Sequence, residues 1–269
     1  LQSSQSGAAP RAAALKIGFV SAKGGDGSTS LAVNMAAALA KDSAQTVMLL
    51  DLSLPFGDAD VYLTNKPVEH DLADFCSEVS RLDEALLASM VTQIKPQLHF
   101  MASPMSFEKI MTVEPAAVEQ LLAFLSSQYS FILIDMGSSV SPVSLRLWEQ
   151  LDQAVIVSSV SMPSLRRLNQ IKQLWENLGL SPAKLNFAMN RVAGKGDLEL
   201  AQFERIYPQK PLRKLPVDTL GMKASVVQGM PLVDLQVRCD YARVVTDWAA
   251  EWSGQPMKDK SLWQRLRKK

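Results

Sequence analysis

Residues 23–29 read Lys-Gly-Gly-Asp-Gly-Ser-Thr, a run that can hold phosphate. Gly24, Gly25 and Gly27 leave the backbone free to adopt positive φ and to approach an anion closely. Main-chain N–H groups of such a loop point inward, and a helix that follows adds partial positive charge at its N-terminus. Two carboxylates further along complete the chemistry. Asp51 ends the apolar run Thr46-Val-Met-Leu-Leu, and Asp135 ends Phe131-Ile-Leu-Ile. A threonine hydroxyl (Thr29) and a carboxylate (Asp135) are the oxygen groups that hold magnesium beside a phosphate. Asp51 has two readings: the cap of a turn, or a group that orients water near a terminal phosphate. The loop also has a bland reading, a glycine turn with no ligand.

The ordinary phosphate-loop pattern is G-x-x-x-x-G-K-[ST]. Here Gly27 is followed by Ser28, and the lysine stands earlier, at Lys23. The pattern K-G-G-x-G-(K)-[ST] resembles the deviant phosphate loop of the ParA/MinD family of P-loop ATPases. The resemblance implies a cradle of Lys23, Gly24, Gly25, Asp26, Gly27, Ser28, Thr29 and Ser30 for ATP, with Mg2+ at Thr29 and, through water, at Asp135. It implies a homodimer in which Lys23 reaches the partner's nucleotide. It also gives Asn190 the role of bonding the adenine edge, with Arg191 and the backbone around Pro216 flanking the base. By residue type alone, Asn190 is equally a turn residue.

Three departures from that family stand at the site. Ser28 replaces the second lysine. Asp51-Leu52-Ser53 replaces the usual Asp-x-Asp, whose second carboxylate helps position the attacking water. Met136-Gly-Ser-Ser139 replaces an Asp-x-Pro turn. Phosphoryl transfer depends on positioning and charge stabilisation, and loss of one stabilising group costs about a hundredfold in rate. The expectation is weak ATP binding or none, with little or no hydrolysis, and with Asp51 the one candidate catalytic group.

The text Asp51-Leu-Ser-Leu-Pro-Phe-Gly-Asp58 resembles the TadZ/CpaE branch, ParA/MinD-like proteins of tight-adherence (Flp) pilus assembly. So do Leu98–Pro104, Pro163–Leu168 and Ala224–Pro231. This implies a localisation or scaffold factor whose partners are pilus or secretion assembly proteins. The alternative is an active ParA/MinD-type ATPase that cycles on membrane or DNA. A nitrogenase-reductase-like electron carrier would need cluster-ligating cysteines, and Cys76 and Cys239 fit no such pattern.

These residues must be positioned by an α/β fold: a three-layer, doubly wound, mostly parallel sheet of the P-loop NTPase type. Ile17–Val20, Thr46–Asp51, Phe131–Asp135, Ala154–Val157 and Leu185–Arg191 read as strands, buried and apolar. Helices are expected over 31–39, 70–91, 114–128, 161–178 and 240–252. Pro115 suits a first helical turn. Arg166, Arg167 and Lys172 give the fourth helix a basic face, either solvated or a contact for a partner or DNA.

The chain has 269 residues, 47% of them hydrophobic and 20% charged, which suits one large α/β domain over 15–253. The formal net charge of +1 argues against DNA as a partner. The two cysteines are far apart, so neither a disulfide framework nor a zinc site is expected, and reduced thiols fit the cytoplasm. His70 and His99 are isolated and are not expected to bind metal. No apolar stretch has the length of a membrane span. The first residue is Leu1, which reads as a fragment or processed product. Residues 1–14 read as a linker from a preceding domain, receiver-like by resemblance. Residues 254–269 form a basic tail. Within 258–269, Leu262, Trp263 and Leu266 share one helical face. That segment is either a peripheral contact with the inner membrane, or the cell pole, or a frayed basic end.

Overall fold

The computed structural model describes residues 13–42, 44–192, 198–235 and 239–254. Most of the 1–14 linker and the whole 258–269 segment lie outside the described residues.

Eight strands form one sheet: β1 (Leu15–Ser21), β2 (Val47–Asp51), β3 (Thr92–Lys95), β4 (Leu98–Met101), β5 (Phe131–Asp135), β6 (Gln153–Ser159), β7 (Leu185–Val192) and β8 (Arg213–Pro216). Their order is β3-β4-β2-β5-β1-β6-β7-β8. Only the β3–β4 pair is antiparallel. The helices are α1 (Ser28–Leu39), α2 (Leu72–Glu78), α3 (Glu84–Met90), α4 (Phe107–Ile110), α5 (Pro115–Gln128), α6 (Pro142–Gln150), α7 (Met162–Asn177), α8 (Leu198–Ile206), α9 (Thr219–Gln228) and α10 (Asp240–Trp252).

The doubly wound, mostly parallel sheet of the sequence reading is therefore the architecture. β1 lies between β5 and β6. The chain leaves β1 towards β2, returns at β5 and then crosses to the far side of β1. The carboxyl ends of β1, β5 and β2 therefore lie side by side, the edge at which open α/β sheets hold ligands. Parallel pairing puts Asp51 directly opposite Asp135.

Each face of the sheet buries its own apolar layer. One contains Leu121, Trp148, Leu168 and Trp175 from α5, α6 and α7. The other contains α1 and the Tyr241, Val245, Trp248 and Ala249 stripe of α10, at spacings of four, three and one. Every α1 residue except Thr29 is buried. A helix enclosed on both sides must be slim, which explains Ala32, Ala36, Ala37 and Ala38.

Three readings need correction. The single helix expected over 70–91 is two helices, α2 and α3. Asp71 and Asp83 are separate N-caps, accepting from Ala73 N and Leu86 N at 3.0 and 2.8 Å, and the second starts a new helix inside the periodic run. The edge strand β3 was not expected, because Thr-Gln-Ile-Lys is half-exposed and lacks an apolar run. Helix α1 starts at Ser28, three residues before the expected Leu31, so the loop's own serines form its first turn.

Candidate functional site

The loop joins Ser21, at the end of β1, to the first turn of α1. Gly27 has φ 98° and caps α1 in the left-handed region. A Cβ there would stand 2.3 Å from Asn190 Nδ2, so a side chain is excluded both by conformation and by space. Gly25 also has positive φ, at 87°. Lys23, Gly24 and Gly25 are exposed, whereas Asp26, Ser28 and Ser30 are buried. The Ser30 hydroxyl donates to Gly27 O at 3.1 Å and closes the helix start.

The expected metal-binding residues come together. Thr29 Oγ1 donates to one oxygen of Asp135, and Ser28 Oγ donates to the other at 3.0 Å. Gly137 N donates to Asp135 Oδ1 at 3.2 Å. Ser28 also accepts from the Ser21 hydroxyl at 3.0 Å. Ser28 thus turns its hydroxyl into the carboxylate corner, where the ordinary pattern would place a lysine directed at phosphate.

Asp51 is held by its own loop. It accepts Ser53 N and Ala59 N, both at 3.0 Å. A Cβ on Gly57 would lie 2.2 Å from its Oδ2, so glycine is required for this close approach. Burial and then the neighbouring Asp135 charge push the Asp51 carboxyl up to about 7, against the lowering effect of Ala59 and Ser53. Burial likewise raises Asp135, partly offset by Thr29, Gly137 and Ser28. Two buried carboxylates side by side, with a threonine hydroxyl in contact with one, form an all-oxygen donor set. It fits a hard cation such as magnesium, which Thr29 and, through water, Asp135 would hold. Ser53 packs against the Met136–Ser139 turn: a Cβ on Gly137 would meet Ser53 Oγ at 2.3 Å.

Asn190, Arg191 and Pro216 line one cavity of about 240 Å3, together with Val217, Asp218, Thr219 and Tyr241. Arg191 is the one non-glycine among the described residues with positive φ, 57°. The Asn190 amide is directed at the loop. Its Nδ2 donates to Asp26 O at 2.8 Å, and its Oδ1 accepts from Arg191 N at 2.9 Å. Its bonds in this structure are therefore to the chain itself.

Two further groups carried no local signal in the sequence. The Tyr241 hydroxyl is buried beside Ser30 without reaching hydrogen-bond geometry. Ser164, in the first turn of α7, donates to Asp26 Oδ1 at 3.0 Å. Arg166 and Arg167 are exposed on the same helix, and Lys172 is half-buried there, bonded to Gln209. His99 meets the Tyr129 hydroxyl at 2.7 Å. Among the described residues no cluster of His, Cys, Asp or Glu forms a metal site of its own.

Residues 14–189 match a family described as AAA domain. A ParA-family ATPase from Chlorobium tepidum is 34% identical, with 89% of this chain and 98% of that one aligned and a TM-score of 0.84. The cell-division ATPase MinD of Pyrococcus furiosus shares the fold at 19% identity, over 89% of this chain and 98% of that one, with a TM-score of 0.74. An ATP-binding protein of Methanocaldococcus jannaschii is 23% identical over 90% of this chain and 88% of its own length. The chain belongs to this AAA-domain family and to the ParA/MinD superfamily of P-loop ATPases.

Proposed function

We propose that this chain is a ParA/MinD-like localisation or scaffold factor of the TadZ/CpaE type. It would bind ATP and Mg2+ weakly, hydrolyse little or none, and help to place tight-adherence pilus or secretion machinery. One observation carries the slow chemistry: Ser28, at the position of the pattern lysine, spends its hydroxyl on Asp135 at 3.0 Å. No cation from this position meets the β- and γ-phosphates, and Ser53 supplies no second carboxylate. Both losses remove transition-state stabilisation, while the backbone cradle remains.

Nucleotide binding is supported by similar structures. MinD of Pyrococcus horikoshii is complexed with Mg-ADP, and the Cyanothece protein McdA, as a D38A variant, with ATP. Partner recruitment is supported by the MinC:MinD complex of Aquifex aeolicus. The pilus assignment rests on the resemblance around 51–58 and 98–104. Lys23, exposed beside the glycines, would bridge a homodimer. No helix among the described residues is long and apolar enough to cross a membrane. A peripheral position at the inner membrane, through residues 258–269, is part of the same proposal.

The test is titration of MgATP into the protein, with particle mass measured before and after and phosphate release followed. The expected result is weak binding with dimer formation and phosphate release near background. Release well above background would defeat the scaffold reading and favour the cycling ATPase. In Lys23→Ala, the ATP-dependent mass increase should disappear; an unchanged sedimentation profile counts against the bridge.

A further inference from the structure

A loop built to hold anions here encloses an anion of its own. Asp26 is only 2% exposed. Its Oδ2 accepts the main-chain N–H of Lys23 at 3.1 Å, and its Oδ1 accepts the Ser164 hydroxyl at 3.0 Å. Its main-chain oxygen accepts from Asn190 at 2.8 Å. Ser164 in turn accepts from the Ser161 hydroxyl at 2.9 Å. The carboxylate is thus fixed between the loop and the first turn of α7, and the Asp26 main chain is held by the end of β7. Among the described residues no ion pair involves Asp26.

The charge matters because of what surrounds it. Asp51 and Asp135 are also buried, and the pattern lysine is Ser28. A magnesium ion would offset the carboxylates of Asp51 and Asp135, whereas the Asp26 carboxylate is bonded to Ser164 of α7 and to Lys23 N–H. Its carboxylate takes a main-chain donor that a cradle would offer to phosphate. A buried charge is also screened far less than an exposed one.

We propose that Asp26 sets the affinity of this loop for polyphosphate: its fixed negative charge weakens binding, and does so more strongly the more phosphate charge the ligand carries. The proposal rests on the reading of the loop as a nucleotide site. A merely structural role, tying the loop to α7, predicts something different. Asn at this position keeps the tie. Its Oδ1 can accept Lys23 N–H, and its Nδ2 can donate to the Ser164 oxygen, whose hydroxyl reorients.

The experiment is calorimetric titration of ATP, ADP and AMP, each with magnesium, into the wild-type chain and the variants Asp26→Asn, Ser164→Ala and Thr29→Ala. Asp26→Asn should tighten ATP binding by at least about tenfold, ADP by less and AMP least. Ser164→Ala cuts the tie but leaves the charge, and should not tighten ATP. The proposal is overturned by unchanged or weaker ATP binding in Asp26→Asn, by an equal gain for AMP and ATP, or by a matching gain in Ser164→Ala. Asp26→Ser, with the same prediction, replaces the Asn variant if circular dichroism shows that it does not fold. Loss of wild-type ATP binding in Thr29→Ala upholds the nucleotide-site reading even when the Asp26 result is negative. Absence of binding in every protein overturns both.

Discussion

The side-chain amide of Asn190 donates to the main-chain oxygen of Asp26 at 2.8 Å, across 164 residues of sequence. The end of β7 thereby braces the phosphate loop from the side. Asn190 is 5% exposed, so little water is available to replace the bond. Asn190→Ala leaves Asp26 O and Arg191 N without this partner, at a cost of about 1–3 kcal/mol for unsatisfied buried groups. The expected outcome is a lower denaturant midpoint together with weaker ATP binding. A variant of unchanged stability and affinity would show that the brace is dispensable.

Gly57 and Asp51 give a second expectation. A Cβ on Gly57 would lie 2.2 Å from Asp51 Oδ2 and 2.4 Å from its Cγ, too close for either to stay. Gly57→Ala forces the carboxylate or the loop to move and should cost about 1–3 kcal/mol, the usual range for overpacking. Gly24→Ala serves as the control. Its nearest neighbour would be Ser138 Oγ at 3.9 Å, an ordinary contact. Urea unfolding of the two variants should separate them clearly, with Gly24→Ala near wild type.

His99 makes stability depend on pH in the acid range. Desolvation lowers its pKa below the ordinary value of 6.5, while Nδ1 meets the Tyr129 hydroxyl at 2.7 Å. The unfolded chain therefore binds a proton at a pH where the folded chain does not. Stability from this group is complete above 6.5 and is lost as pH falls from there through the lower folded value. The melting temperature of the wild type should fall between pH 7 and pH 5 by more than that of His99→Gln. Equal falls would remove His99 as a source of the acid sensitivity.

Much of the site was legible because its parts are local. Phe131–Asp135 is a fully buried strand ending in a carboxylate, and residues 23–29 carry their glycines within a few positions. Asp51, Asp135 and Thr29 converge because parallel pairing aligns the strand ends, which apolar runs of similar length anticipate. What stayed hidden depends on distant contacts. The Ser164–Asp26 bond spans 138 residues, and nothing near Ser164 announces it beyond a helix cap. Asn190 lies near the end of β7, and its partner, a main-chain oxygen, has no signature in residue type. β3 escaped because an edge strand needs apolar residues on one side only, and Thr92–Lys95 has little even there.

On the proposed reading of slow hydrolysis, Ser28 bears on phosphate binding and Ser53 on water positioning. Ser28→Lys restores a cation at the pattern position but removes a hydroxyl that bonds Asp135, where Thr29 and Gly137 remain as donors. Ser53 touches the Met136–Ser139 turn and lies beside Asp51, so Ser53→Asp adds the missing carboxylate to an already acidic corner. Ser28→Lys alone should tighten MgATP while phosphate release stays slow. The double variant should raise release by about a hundredfold, the scale of one recovered stabilising group. Steady-state phosphate release across the four proteins of this cycle decides the matter. A fast Ser28→Lys single variant would mean that Asp51 suffices to position water, and that the lysine alone separates this chain from a working ATPase.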